Sequence, residues 1–421
     1  MTDQSKSLAD ITRVFGRIGL LSFGGPAAQM ALMHKELVDD RDWLTERQYL
    51  SALSFCMLLP GPEAMQLATY AGWRLRGLAG GLIAGGLFVL PGAIVILTLA
   101  LIYAAYGSLP LVQALFLGVK AAVLIIVFQA LAKVAGKALG AAWAWLVAIL
   151  AFLALFVFAL PFPLIIILSA VAGALVASAE AQEEVAIPKV STAQTARIII
   201  IGSAIWAAPI AVAALFQAEL LTDIGIFFSK LAVVTFGGAY AVLTYMTQEV
   251  VRDFGWLTTA QMMDGLGLAE TTPGPLILVT QFVGTLAAYA EGGWALAFAG
   301  AALTLWVTFV PCFIWIFAGA PYLEWITNQP RLKGALDGIT AAVVGVIANL
   351  SLWFAIHVFF EDVGQWSAGP INVILPNPGS INLTAAALGV LAWLLLIRLK
   401  LSLPLALATT SVTGALVLWM I

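Results

Sequence analysis

Charge is what this 421-residue chain has least of: Asp, Glu, Lys and Arg make up 10% of it, while 62% of its residues are hydrophobic. A water-soluble chain carries roughly 25% charged residues. So little polar surface cannot coat a globule in water, and lipid is the solvent that fits. Cysteine is almost absent as well. Cys56 and Cys312 both lie in apolar runs, which excludes a disulfide framework and the C-x-x-C patterns of zinc and redox sites. Two histidines, His34 and His357, make no histidine-rich metal centre. The sequence holds no phosphate-binding P-loop, no dinucleotide fingerprint and no nucleophile triad. The expectation is therefore a protein that is not an enzyme and uses no cofactor or metal. The net charge of −3 makes no case for a nucleic-acid partner. Residues 1–10 are polar, and Arg13 and Arg17 interrupt the apolar run that follows, so the N-terminus does not read as a cleavable signal.

What is present is apolar runs of membrane length. A spanning helix needs about 20 mainly apolar residues. Thirteen segments qualify, near 11–33, 48–70, 78–105, 111–135, 142–158, 161–179, 195–217, 222–247, 260–288, 293–318, 331–359, 382–398 and 401–420. The fold class expected is an all-α polytopic membrane protein whose partner is the lipid bilayer, with a homodimer as an open option. With the N-terminus in the cytoplasm, thirteen crossings put 14 of the 19 Lys and Arg residues inside. That group includes Arg252, Arg331 and Lys333. Lys35, Arg41 and Arg47 fall outside, and Lys120 and Lys230 lie within spans. The asymmetry follows the positive-inside rule and puts the C-terminus in the periplasm of a bacterial inner-membrane protein.

The chain also repeats itself. Phe23-Gly24-Gly25 recurs as Phe236-Gly237-Gly238, an offset of 213 residues. At the same offset Glu36 matches Glu249, Asp40 matches Asp253, Trp43-Leu44-Thr45 matches Trp256-Leu257-Thr258, and Pro60-Gly61-Pro62 matches Pro273-Gly274-Pro275. Apolar low complexity does not reproduce Trp, Pro and Glu in register. The expected domains are a first repeat at 1–179, a linker with a connecting helix at 180–220, and a second repeat at 221–421. Seven segments separate the two starts, so the halves run inverted, an arrangement common in secondary transporters. The shared Trp-Leu-Thr reads as a helix start with Thr as N-cap.

Gly-Gly and Pro-Gly-Pro break helices, and broken backbone at membrane depth survives only when buried in protein or lining a wet cavity. Four mirrored breaks point to a substrate cavity rather than to ordinary kinks. A helix start at such a break offers free N–H groups and the positive end of a dipole, which is an anion site. Gly24, Gly25, Gly237 and Gly238 would supply amides, with Ser22 and Thr235 as matched hydroxyls. Arg17 and Lys230 also match, and either they face the cavity or they snorkel outward. Lys120 has Thr340 as its counterpart, and a snorkelling or loop-edge reading stands level with a cavity-facing one. Glu63 and Glu270 flank the Pro-Gly-Pro motifs from opposite sides and are the candidate proton carriers, or else pair with cations. Gln66, Thr271, Thr272 and Gln281 are neutral hydrogen-bonding candidates.

These motifs resemble the chromate ion transporter family in its long, two-domain form. The resemblance is carried by Phe23-Gly24-Gly25-Pro26, by Leu58-Leu59-Pro60-Gly61-Pro62-Glu63 continuing through Gln66 to Tyr70, and by Phe88-Val89-Leu90-Pro91-Gly92. In the second half it is carried by Phe236-Gly237-Gly238 and by Glu270-Thr271-Thr272-Pro273-Gly274-Pro275. It implies export of chromate or a sulfate-like oxyanion, driven by membrane potential or a proton gradient, and so chromate resistance. Ala239 stands where Pro26 stands in the first half, which makes the two motifs unequal. A proton-coupled oxyanion importer and an anion channel remain the competing readings.

Overall fold

The computed structural model describes residues 6–177, 191–236 and 239–420. Gly237, Gly238 and the linker residues Glu180, Glu183, Glu184, Pro188 and Lys189 lie outside the described residues. The helices, in chain order, are α1 (Leu8–Leu21), α2 (Gly25–His34), α3 (Glu46–Leu58), α4 (Glu63–Tyr106), α5 (Pro110–Ala138), α6 (Ala142–Phe156), α7 (Phe162–Val176) and α8 (Thr192–Leu215). They continue as α9 (Glu219–Val234), α10 (Ala239–Gln248), α11 (Thr259–Thr271), α12 (Val279–Gly319), α13 (Leu323–Thr327), α14 (Pro330–Phe359), α15 (Leu383–Trp393) and α16 (Leu403–Met420). Short π turns close α2, α10 and α15. One antiparallel hairpin, β1 (Val363–Ala368) with β2 (Ile371–Pro376), interrupts the helical pattern. Hydropathy does not reveal it, because two six-residue strands are far short of a membrane-length run. Among the described residues, five helices are long and apolar enough to cross a membrane, and shorter apolar helices accompany them. The protein is a multi-pass helical membrane protein.

Local chemistry sets the helix limits as the sequence foretells. Thr45 and Thr258 each open a helix through a reciprocal capping box. Thr45 Oγ1 accepts from Gln48 N, and Gln48 Oε1 accepts from Thr45 N. Thr258 and Gln261 repeat the pattern. Each box satisfies two otherwise orphaned donors.

Two of the long helices reverse inside themselves. In α4 the helix breaks at Arg76–Gly77, where Gly77 has φ 62°, and in α12 it breaks at Gly292–Gly293, where Gly293 has φ 66°. That backbone favours glycine. The turn is sharp: a Cβ on Gly85 would strike the Thr69 hydroxyl, and one on Gly284 would strike that of Thr304. Straight helix would hold those pairs about 24 and about 30 Å apart. The first reversal falls in the gap between apolar segments 48–70 and 78–105, and the second at the boundary where segment 293–318 begins after segment 260–288.

The chain forms two compact units. One comprises Met1–Leu101, Ser178–Ala239 and Thr272–Lys333; the other comprises Ile102–Ala177, Tyr240–Thr271 and Gly334–Ile421. Within the first, α1 and α2 correct the sequence reading. Arg17 and Glu36 are nineteen residues apart, which is about 28 Å along a continuous helix, yet Arg17 Nε lies 3.6 Å from Glu36 Oε1. The chain turns back at Phe23-Gly24-Gly25, so segment 11–33 does not run straight through. α3 behaves alike. On α12, Phe313 packs on Gly85 and Phe317 on Gly81, following α4 back toward its bend, and Phe55 of α3 rests on Gly319 at that same end. Hydropathy measures the length of a run and is blind to such a return.

In the second unit, small residues let helices touch. Gly173 of α7 meets Gly334 and Gly338 of α14, and Gly345 meets Ala148 of α6. Gly118 of α5 meets Thr410 of α16. Close backbone approach of this kind is how membrane helices pack where lipid removes the hydrophobic drive.

Candidate functional site

The breaks are joined crosswise in the first unit. Gly61, in the first Pro-Gly-Pro, donates its amide to Thr235 O beside the second Phe-Gly-Gly at 2.7 Å. Gly274, in the second Pro-Gly-Pro, donates to Ser22 O beside the first Phe-Gly-Gly at 2.8 Å. Each Pro-Gly-Pro motif thus bonds the residue that precedes the Phe-Gly-Gly of the other half. Gln29, 2% exposed, reinforces one of these joints. Its Nε2 donates to Gly274 O at 2.7 Å and to Ser22 O at 3.3 Å. The second arm of α4 closes on the same joint, because a Cβ on Gly92 would overlap Pro273 O.

This geometry divides the predicted site residues by role. Gly61 and Gly274 are buried and their amides are committed. Pro273 and Pro275 are buried, and Pro60 and Pro62 are half-buried. The hydroxyls of Ser22 and Thr235 are both engaged within their own helices. They are buried and give their hydrogens to Ile18 O and Leu231 O of their own helices, each at 2.6 Å. Their carbonyls do the joining instead. Thr271 likewise donates to Leu268 O at 2.8 Å, and Thr272 is buried. Gln66 donates from Nε2 to Pro60 O at 2.6 Å, closing the first break. The Oε1 atoms of Gln66 and Gln281 are buried with no hydrogen-bond partner.

Gly24 and Gly25 remain available. Gly24 is the N-cap of α2 and Gly25 its first residue, with Pro26 in the first turn. Opening amides of a helix have no intrahelical acceptor. Gly24 and Phe23 are exposed and Gly25 and Pro26 half-exposed, so these amides and the positive helix end are open to a ligand. Phe236 is half-buried beside Thr235.

The charged candidates separate in the same way. Arg17 is 61% exposed and pairs with Glu36, which is 3% exposed. Arg41 Nη1 reaches the other Glu36 oxygen at 2.5 Å. Arg17 ties α1 to the π turn after α2. Lys230 is exposed on α9. Glu63 is the half-buried first residue of α4, where a carboxylate meets the positive helix end. Glu270 ends α11 in the second unit and accepts a 2.7 Å bond from Tyr240 Oη.

The comparisons with known proteins settle the family. The sequence model of the family described as Chromate transporter matches residues 9–174 and 222–418. The chain belongs to the chromate transporter family. It is 30% identical over 395 residues to a probable chromate transport protein of Synechococcus elongatus, covering 92% of this chain and 96% of that one. It is 31% identical to a chromate transport protein of Cupriavidus metallidurans, over 83% of this chain and 82% of that one, and 32% identical to one of Pseudomonas aeruginosa, over 84% and 82%. No solved structure matches the chain.

In this family member, sequence reasoning missed three polar partners. Gln29 is a glutamine inside an apolar segment, and that oddity was its only signal. Asp264, 5% exposed, holds Lys120 at 3.1 Å and accepts from Tyr103 Oη at 2.7 Å. Lys120 is thus paired within the second unit and neither snorkels nor edges a loop. A carboxylate so deep in an apolar helix implies a partner, but sequence does not say which. Arg252 is the third. It lines a cavity with His357 near the C-terminal end of α14, whereas Arg331 and Lys333 open that helix about 40 Å away. The sequence tally puts all three inside.

Proposed function

We propose that this protein exports chromate from the cytoplasm as a secondary transporter, binding the oxyanion at the amide-lined start of α2. The observation that carries the reading is the crosswise joint of the repeats, Gly61 N to Thr235 O and Gly274 N to Ser22 O. A joint of this form couples the two halves at their breaks, so that a shift of one repeat against the other, the motion of alternating access, reaches both motifs. The Gly24 and Gly25 amides, which take no part in the joint, with the α2 dipole stabilise a tetrahedral anion. Residues 1–179 and 221–421 act as the two repeats and 180–220 as their connection.

The fold-back of α1 on α2 supports a revised topology. Segments 11–33 and 48–70 dip into the membrane and return to the cytoplasmic side. Five crossings from segment 78–105 to segment 195–217 then carry the chain outward, and the second repeat starts inverted. Lys35, Arg41 and Arg47 join the cytoplasmic face and Arg252 leaves it, so sixteen of the nineteen Lys and Arg residues lie inside. The positive-inside bias is stronger than thirteen crossings allow. The N-terminus is cytoplasmic and the C-terminus periplasmic.

Export needs no coupling ion. A dianion leaving a cell that is negative inside gains about 4.6 kcal/mol per 100 mV, roughly a thousandfold concentration ratio. Glu270 is the better placed of the two candidate proton carriers, because Glu63 sits where a helix start favours its charged form. The test is chromate flux in proteoliposomes with Gly24→Ala, Gly25→Ala and the double variant. A Cβ shields the amide and strains the backbone of both residues, whose φ values are 87° and 78°. KM for chromate should rise at least tenfold in the double variant. An unchanged KM in all three would remove the anion from this helix start.

A further inference from the structure

The second unit holds a cavity of about 180 Å³ that the crosswise joint does not use. α10 supplies Thr247 and Gln248 to it, the π turn Arg252, α14 Trp353 and His357, and the hairpin Gln365. Among the described residues lining it there is no carboxylate. Arg252 and His357 are its two groups able to carry charge, and both are positive when charged. His357 has a fixed orientation. Its Nδ1 lies 2.9 Å from Trp353 O. A carbonyl only accepts, so Nδ1 carries the hydrogen and Nε2 is the nitrogen left over. The Trp353 ring packs on the imidazole with centroids 4.3 Å apart, which limits its rotation.

We infer that this cavity is a second oxyanion site, one that takes a tetrahedral dianion of the chromate and sulfate class on its way across the protein. The inference rests on the transporter reading for its ligand class, but its chemistry stands on the lining. A tetrahedral dianion needs positive charge and several donors. Arg252 gives a fixed charge and a planar fork of N–H groups. Gln248, Gln365 and the hydroxyls of Thr247 and Thr259 add neutral donors. Neutral His357 turns a lone pair on Nε2 toward any ligand there, while protonated His357 turns a donor. Around it stand Arg252 on the π turn, with the Asp253 charge acting on it from the next position, Gln248 on α10, Thr259 on α11 and Gln365 on β1; none of the lining residues is an acid. Binding should therefore tighten as pH falls.

The place of the cavity agrees. An arginine at the end of α14 opposite Arg331 and Lys333 runs against the charge bias of the rest of the chain, and an anion to be held there gives it a reason.

The test is equilibrium binding of radiolabelled inorganic sulfate to the full chain in lipid nanodiscs, at pH 6 and pH 8. Wild type, Arg252→Gln, Arg252→Lys and His357→Gln would be compared after confirming equal elution by size exclusion. The expected stoichiometry is two sulfates for wild type and one for Arg252→Gln, with Arg252→Lys keeping more of the second site. Wild type should bind the second sulfate several-fold more tightly at pH 6, and His357→Gln should flatten that difference. Equal binding by wild type, Arg252→Gln and His357→Gln at both pH values overturns the inference. Flux measured on the same preparations keeps the two claims apart. Arginine-dependent binding with no flux in wild type sinks the transporter reading alone. Flux with arginine-independent binding sinks the cavity site alone.

Discussion

Gly92→Ala isolates the contact between α4 and the second Pro-Gly-Pro. Gly92 lies inside a helix with ordinary helical backbone, so the substitution carries no conformational strain. In an open helix position, Gly to Ala stabilises by about 1 kcal/mol. Here the new Cβ would overlap Pro273 O and press on Leu278 Cδ1. A carbonyl held by the Gly274 joint cannot swing aside, and forced overpacking costs about 1–3 kcal/mol or more. Steric cost therefore wins over propensity, and the net effect is a loss of about 1–2 kcal/mol, five- to thirtyfold in the joined state. Gly86 in the same helix has nothing within 4 Å of its virtual Cβ, so Gly86→Ala is the matched control. Thermal unfolding in detergent and chromate flux in proteoliposomes read both variants. Gly92→Ala should melt lower and transport slowly, while Gly86→Ala should melt at or above wild type. A stabilised, fully active Gly92→Ala would show that α4 and the Pro-Gly-Pro motif are not in contact.

Three further expectations bear on topology and charge. A cysteine placed at Asp42 should react with a membrane-impermeant thiol reagent only from the cytoplasmic face; labelling from outside would restore a straight segment 11–33. Lys120→Met leaves the buried Asp264 charge without its partner and should cost about 3 kcal/mol, while Lys120→Met with Asp264→Asn should recover much of that, read as melting temperature. Equal melting of single and double variants would deny the pair its coupling. His34 sits between Glu46 at 2.6 Å and Asp39 at 3.3 Å, and the Glu46 hydrogen bond raises its pKa. A raised folded pKa gives stability that is full below about pH 6.5 and is lost as pH rises through the folded value. Melting temperature should fall between pH 6 and pH 8 in wild type and change less in His34→Gln, and identical slopes would refute the tie between α2 and α3.

Much of this was open to reading from residues. The mirrored motifs foretell the breaks. Thr45 and Thr258 mark helix starts because capping is local chemistry. The reversals at Gly77 and Gly293 show as boundaries between apolar runs. The direction in which a broken helix continues is different. It depends on a pairing such as Arg17 with Glu36, and hydropathy carries no signal for it. The crosswise use of the glycine amides is equally hidden, because Gly61 and Gly24 look alike in sequence while one amide is committed and the other open. Lys120 drew no partner from the repeat because its mate, Asp264, is not a repeat position of it. The β1–β2 hairpin is short and outside every membrane-length apolar run, with β1 mostly exposed and β2 half-buried.

The account stands most directly on one measurement: chromate uptake by inside-out membrane vesicles under an imposed potential, positive in the lumen, without a pH gradient and with sulfate as competitor. It predicts saturable uptake driven by the potential alone and reduced by Gly24→Ala with Gly25→Ala. Uptake that stays linear in chromate would contradict it in favour of a channel, and uptake that appears only with a proton gradient would contradict potential-driven export.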